Sequence, residues 1–533
     1  MCDVGIPLAN SQLSTHDRLS GIRTLEFCRY ASPEAGSVGR SGRLGLEEGA
    51  SAQLASPDAL EGTEHGGPVS SVRSTFKLVA IVLAVAAAAI AAPSLAAAES
   101  FAAGSPGAGD PFFPLAGNGG YDVAHYSLRL EYDPATRQLD GTATISATAT
   151  QDLSSFDLDL RGFQISRLLV DGRTASFTRD RQELVITPRP GLRADESFTV
   201  VVDYDGVPAV VTDPDQSIEG WVPTDDGAFV VGEPQGSPAW YPANDNPQDK
   251  ATFEFMVTVP DGITVMANGV LASQTSTGGK TTFVWRESSP MAPYPATATL
   301  GRFDVTQYDL ASGIPVYIAV DPTLSSSSVL KKLPDIVDFY SSIYGPYPFD
   351  AVGAIVDDAK NVGYSLETQT KPVFDRPPDE ATLAHELSHM WYGDSVTLTQ
   401  WPDIWLHEGF ATWSEWIWSE HEGNKSAHQW FNTLYNTPAQ DTGFWTPPPA
   451  DPGSPAFLFN GTIYNRGAMT LQALREKVGD DAFFQILRDW AAEHRYGNVT
   501  TPQFIALAER DSGMGLQHFF DVWLYQPDKP TSS

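Results

Sequence analysis

The sequence predicts an α+β multidomain chain in which an N-terminal antiparallel β-domain, residues 110–308, precedes a mainly helical domain, residues 309–533. Three observations predict it. Apolar and polar residues alternate with period two through the first stretch, as half-buried strands require. Helical spacing takes over from about residue 309. Within the second stretch, His385-Glu386-Leu387-Ser388-His389 follows an acidic start and precedes Gly393, the punctuation of a helix. The length of 533 residues allows roughly two to four domains, and 42% hydrophobic residues are ample for packed cores.

Residues 1–68 fit neither a signal nor a domain: they are polar, rich in Gly and Ser, and weakly patterned. They read as a gene-model artefact or a disordered leader, with the true start near Val69 or Val72. Residues 69–98 read as a signal peptide. Arg73 and Lys77 precede an apolar run at 78–92, and Pro93-Ser94-Leu95-Ala96-Ala97-Ala98 supplies small residues for cleavage. The run is short for a span of about 20 residues, so cleavage is expected, with a retained anchor as the alternative. The expectation is therefore a secreted or cell-surface protein without a stable membrane span after cleavage. Cys2 and Cys28 both lie upstream, so the processed chain has no cysteine and no disulfide.

Residues 99–120, rich in Gly, Ala and Pro, read as a linker. Strands follow. Tyr126, Leu128, Leu130 and Tyr132 interleave with Ser127, Arg129 and Glu131, and Ala143, Ile145, Ala147 and Ala149 interleave with Thr and Ser. Shorter strands at 156–160, 184–186 and 198–204 are separated by turns such as Asp171-Gly172, and no internal repeat is visible. The run at 233–247 holds four prolines and cannot be a central strand. Helices are expected at 330–344, around 380–392, at 406–420, from Asp481 to Arg495, from Thr501 to Gly513, and at 516–524, with Asp480 as a cap and Pro502 near an N-terminus. Trp490, Phe504, Phe519, Phe520 and Trp523 are expected in the core.

The His-Glu-x-x-His string carries the chemistry. Positions four apart share a helix face, so His385 and His389 can grip one metal ion with Glu386 beside its open position. After eighteen intervening residues, Glu408 sits at the start of a second helix that also carries Ala411, Thr412 and Glu415 on one face. Two imidazole nitrogens and one carboxylate oxygen leave the fourth place of a tetrahedral zinc for water, the ligand set of zinc hydrolases and not of closed structural sites. The formal charge of −33, from 66 acidic against 33 basic residues, argues against nucleic acid and anionic membrane surfaces as partners and favours a cationic substrate terminus.

The run from His385 to Thr397, together with Trp405-Leu406-His407-Glu408-Gly409-Phe410-Ala411, resembles the aminopeptidase N family of gluzincin metallopeptidases. His407 stands where the family usually has Asn. The resemblance implies that His385, His389 and Glu408 hold one Zn2+ and that Glu386 is the general base. It implies a thermolysin-like catalytic domain over 309–533, in a short form lacking the family's C-terminal helical domain. It also implies an anchor for the substrate's α-ammonium group in the proline-rich run, where alignment favours Gln235 and an ungapped match selects Glu233. Gly363-Tyr364-Ser365-Leu366-Glu367 stands where the family has a Gly-Ala-Met-Glu strand, which makes Glu367 a second anchor. Ile463-Tyr464-Asn465-Arg466-Gly467-Ala468 resembles the family's Tyr-x-Lys-Gly-Ala turn, with Tyr464 as donor to the oxyanion and Arg466 in place of Lys. Glu415 is the candidate acceptor for a ligand histidine N–H.

The expectation is a zinc aminopeptidase acting on peptides with a free N-terminus. A thermolysin-like endopeptidase and a non-catalytic peptide-binding protein on a peptidase fold are the alternatives.

Overall fold

The computed structural model describes residues 101–325 and 328–531. The leader at 1–68 and the signal at 69–98 lie outside the described residues.

The first half is built on an eight-stranded sheet. Its strands are β1 (Tyr121–Asp133), β2 (Gln138–Ala149), β3 (Gln164–Val170), β4 (Arg173–Thr174), β5 (Ser197–Gly206), β6 (Ala251–Pro260), β7 (Val270–Thr277) and β8 (Lys280–Met291), and they lie in the order β7-β8-β6-β1-β2-β5-β3-β4. The alternation seen in the sequence is the alternation of burial: Tyr126, Leu128, Leu130 and Tyr132 of β1 all face the core. One expectation needs correcting. The sheet is mixed, because β6 runs parallel to β1 in the register Thr252↔His125 to Thr258↔Glu131. Period two reports which face is buried but not the direction of a partner that is distant in sequence. Two smaller sheets, of four and five strands, complete this half.

The stretch read as a linker is also packed rather than loose. Ala102 and Ala103 pair parallel to the strand Leu153–Asp159. Asp110 accepts from the backbone N–H groups of Phe112, Phe113 and Trp401, and the Phe113 ring meets Trp401 edge-on at 6.2 Å. Low complexity suggested freedom, but a few anchoring contacts fix its path across both halves.

The second half begins with a five-stranded sheet of β9 (Asp304–Asp309), β10 (Pro315–Val320), β11 (Val352–Val356), β12 (Ser365–Leu366) and β13 (Val373–Phe374), in the order β9-β10-β11-β13-β12. The sequence set the junction near residue 308, yet β9 pairs with β10 along its whole length, so the change of sheet comes before Asp304. This sheet has a core on each side. Val316 and Ile318 face the helices, whereas Tyr317 and Ala319 face the β-half. The longer helices are α1 (Leu333–Tyr344), α2 (Glu380–Ser388), α3 (Trp405–His421), α4 (Ala427–Tyr435), α5 (Gly461–Val478), α6 (Asp480–Glu493) and α7 (Thr501–Ser512). Gly479, not Asp480, occupies the cap position of α6. The aromatic residues expected in the core, Trp490, Phe504, Phe519, Phe520 and Trp523, are all buried. Among the described residues no helix is long and apolar enough to cross a membrane.

Candidate active site

Asp379 opens α2: its carboxylate accepts from the Thr382 N–H at 2.9 Å, a cap worth about 1 kcal/mol to the helix. The sequence carried this helix to Gly393, but it ends at Ser388, with His389 as the first residue past the last turn. Gly393 has another task. Its φ is +150°, and a Cβ there would lie 2.9 Å from His389 Nδ1, so only glycine lets the chain fold back over that ring.

On α2, His385 and His389 present their rings together, with centroids 4.9 Å apart. Glu408 enters from the first turn of α3. Its Oε2 lies 3.1 Å from His385 Nε2 and 3.7 Å from His389 Nε2. The three ligand atoms all fall within 4.8 Å of one another. The outer nitrogens are already engaged, as His385 Nδ1–H donates to Glu415 Oε1 at 2.7 Å and His389 Nδ1–H donates to the Tyr392 carbonyl at 3.1 Å. Both Nε2 atoms therefore face inward, and loss of the proton that His385 Nε2 shares with Glu408 leaves the tautomer a metal ligand needs. Two nitrogens and one oxygen converging in this way fit a zinc ion with an open position.

Burial opposes a charge on His385, but the carboxylates of Glu408 and Glu415 outweigh it and hold the imidazole well above its ordinary range. His389 goes the other way: burial, only partly countered by Glu408, pushes it down to about 4. Burial raises the Glu415 carboxyl, with His385 opposing.

The surrounding cleft is lined by Glu233, Ser365, Glu367, His385, Glu386, His389, Glu408 and Tyr464. Glu386 is buried on α2, and its carboxylate groups with those of Glu367 and the ring of His389 within 4.8 Å. Glu367 follows edge strand β12, which carries it to the cleft wall. Tyr464 sits in the first turn of α5, whose cap Asn460 accepts from the Thr462 N–H at 3.0 Å. Its ring lies nearly parallel to His385 at 6.1 Å.

Of the two residues proposed in the proline-rich run, Glu233 is in the cleft wall and Gln235 is not. Gln235 accepts from Arg161 and donates to Asp213, both at 2.9 Å, so its amide is committed inside the β-half. Arg466, which stands in place of the family's Lys, is absent from the cleft wall. It is buried and donates to the carbonyls of Trp445, Val522, Trp523 and Gln526 at 2.6–3.0 Å, and burial pulls its pKa down to about 10. His407 is fully buried, and its Nε2 accepts from the Leu398 N–H at 2.8 Å. Burial lowers its pKa to about 3, so it is a neutral clamp on the first turn of α3.

Several contributors escaped the sequence. Ser365 lines the cleft, but a lone serine carries no signal. Lys250, from the β-half, donates to the carbonyls of Asp394 and Ser395 at 2.9 and 3.0 Å, just past the second ligand histidine. At the crossing of α3 and α5, a Cβ on Gly409 would lie 2.9 Å from the Gly467 Cα, and one on Gly467 would lie 2.8 Å from the Gly409 Cα. The backbones of the helices bearing Glu408 and Tyr464 therefore touch directly. Gly409 directly after Glu408 and Gly467 three residues after Tyr464 were the available clue.

Comparison with known proteins agrees with this geometry. Residues 123–294 match the Peptidase M1 N-terminal domain and residues 366–523 the Peptidase family M1 domain. The chain is similar to Aminopeptidase M1-C of Oryza sativa subsp. japonica, with 25% identity over 321 residues, which is 55% of this chain and 36% of the relative. It spans little more than a third of the length of the first curated relatives it matches. The M1 zinc metallopeptidase of Deinococcus radiodurans superposes with a TM-score of 0.74 at 29% identity, covering 80% of this chain and 98% of that one. A mutant of that enzyme bound to a Tyr-Ser-Ala substrate gives 0.73 at 28% identity, covering 80% and 100%.

Proposed function

The chain belongs to peptidase family M1, and on that premise we propose that it is a zinc-dependent aminopeptidase that hydrolyses the first peptide bond of substrates with a free amino terminus. The observation that carries this reading is the position of Glu233 and Glu367 in the wall of the cleft that also holds His385, His389 and Glu408. A pair of buried carboxylates beside a hydrolytic site suits the α-ammonium group of a peptide, which needs a desolvated counter-charge.

When bound, zinc supplies a Lewis acid that polarises the scissile carbonyl and lowers the pKa of water toward ~7. His385, His389 and Glu408 would hold it. Glu386, beside the ligand histidines, takes the proton of the attacking water and returns it to the departing amine, a role worth about 10²–10⁴-fold. Tyr464 donates its O–H to the tetrahedral oxyanion. Glu415 and the Tyr392 carbonyl fix the ring orientations of the two histidines. Glu233 and Glu367 hold the ammonium group one residue away, which turns a general peptide hydrolase into one that reads a chain end.

Two measurements test the proposal. Glu386→Gln should retain zinc and lose turnover; wild-type rates in that variant would remove the base. Peptides with a free N-terminus should be cleaved and their N-acetylated forms spared. Rapid internal cleavage of blocked peptides would favour the endopeptidase alternative. We further infer export. Its support is the sequence pattern at 69–98, and mass spectrometry of the natural product tests it, since peptides from residues 1–60 would overturn that start and that processing.

A further inference from the structure

Glu367 sits on the loop at 367–372 that joins β12 to β13, two strands paired antiparallel with Leu366 opposite Val373. The residues after it, Thr368, Gln369, Thr370 and Lys371, are fully buried. One of them is strained. Thr370 holds φ at +71°, the left-handed region that a β-branched residue rarely occupies. Such a conformation persists where the surrounding contacts over-determine it. Here Gly269 N–H donates to Thr370 Oγ1 at 2.8 Å, and Thr370 N–H donates to Met390 Sδ at 3.3 Å. Met390 directly follows His389. A single residue thus ties the loop to the β-half on one side and to the segment bearing a metal ligand on the other.

Lys371 tightens the same link. Its Nζ donates to the Gly269 carbonyl and lies 4.6 and 5.1 Å from the ring centroids of Trp285 on β8 and Tyr317 on β10. Burial pulls its pKa down, and the carboxylates of Glu287 and Asp350 oppose the fall. An amine placed this deep depends on those partners, which restricts where the loop can lie. Asn268 completes the grip: its Nδ2 donates to the carbonyls of Gln369 and Pro295 at 2.8 and 2.9 Å, and its Oδ1 accepts from Thr297 N–H at 2.7 Å. At the near end of the loop, Glu367 groups with Glu386 and His389 within 4.8 Å. A shift at 370–371 is therefore passed to the carboxylate beside the metal site.

We propose that Thr370 and Lys371 are positioning residues for the ammonium anchor: by tying the loop to the β-half and to Met390 they fix the distance from Glu367 to the metal ligands, and with it the preference for a free amino terminus. The inference rests on the aminopeptidase reading and deepens it. Glycine at position 370 would adopt the left-handed conformation without strain, but it would leave the Gly269 N–H without its acceptor.

The test uses the zinc-loaded full chain and two competitive inhibitors, leucine hydroxamate and its des-amino counterpart, 4-methylpentanoyl hydroxamate. Both chelate the metal, and they differ only in the α-ammonium group, so the ratio of their Ki values reads the anchor alone. Wild type should favour the amino compound. Lys371→Met keeps the stem against the two rings and loses the donor; Thr370→Val keeps the shape and loses Oγ1. Each should cut the preference by roughly tenfold or more, the scale expected of a misplacement approaching 1 Å. Thr370→Ser retains the hydroxyl and should keep the wild-type ratio. Damage to packing alone weakens both inhibitors together, so an unchanged ratio in the folded Met and Val variants would overturn the positioning role whatever the fall in overall activity. Thermal melts identify a variant that has lost its fold, and the other then decides. A wild-type ratio near one would instead remove the ammonium-anchor reading on which the inference rests.

Discussion

The contact between His385 and Glu415 offers the sharpest test of how this cleft works. Glu415→Ala deletes the acceptor that holds the Nδ1–H of a ligand histidine at 2.7 Å, in a pair whose side chains are only 5% and 16% exposed. A buried donor left unmatched costs about 1–3 kcal/mol, and at 1.36 kcal/mol per decade that is roughly 5- to 150-fold in zinc affinity. The range agrees with the 10- to 100-fold typical of such supporting partners. An apolar cavity abutting Glu415 lets water approach the vacated nitrogen, which places the expected loss toward the lower end, about tenfold. Glu415→Gln keeps an acceptor oxygen and loses only the charge, so its effect should be the smaller. Competition against a chelator at fixed pH reads the affinity directly, and kcat/KM at saturating zinc shows whether ring orientation matters beyond occupancy. Wild-type zinc affinity in the alanine variant, with the protein folded, would refute the argument that this hydrogen bond sets the ligand.

Other outcomes follow from neighbouring groups. Tyr464→Phe should lower kcat by about 10²–10³ with KM and zinc content little changed, since the hydroxyl is needed only once charge develops on the substrate oxygen; single-turnover kinetics with a peptide checks it. Because His385 is held above its ordinary pKa and His389 is pushed down to about 4, the metal-free cleft near neutral pH carries its proton on His385. Zinc must displace that proton, so binding should release about one proton and tighten as pH rises until it passes the raised His385 value; calorimetry in two buffers of different ionisation enthalpy measures this, and no release at neutral pH would contradict it. Arg466→Lys replaces a fork that serves four carbonyls with a single ammonium, and should cost about 1–3 kcal/mol of stability while kcat/KM at 25 °C holds. A loss of activity without a fall in Tm would instead place Arg466 in the chemistry.

The metal ligands were legible because helical spacing is a geometric statement: His385, His389 and Glu408 had to meet if two helices faced each other, and they do. The half-buried strands were legible for the same reason, since alternation and burial are one property. What failed was register without periodicity. Gln235 and Glu233 lie in a proline-rich turn where two residues of slippage carry no hydrophobic penalty, and only the tertiary partners Arg161 and Asp213 separate them. The parallel pairing of β1 with β6 left no local trace, and the stretch at 101–120 looked loose because Asp110 and Phe113 find their partners about 290 residues away. The four carbonyl partners of Arg466 left no local trace either, since residue type says nothing about which way a guanidinium points.

The touching backbones at Gly409 and Gly467 couple two parts of the chemistry that a mechanism would treat separately. One carboxylate and one phenol ride a shared pivot, so a displacement of either helix is transmitted to its neighbour. Improvement of one group by drifting its helix alone is closed to this architecture, and adaptation to new substrates is left to walls that lie off the pivot.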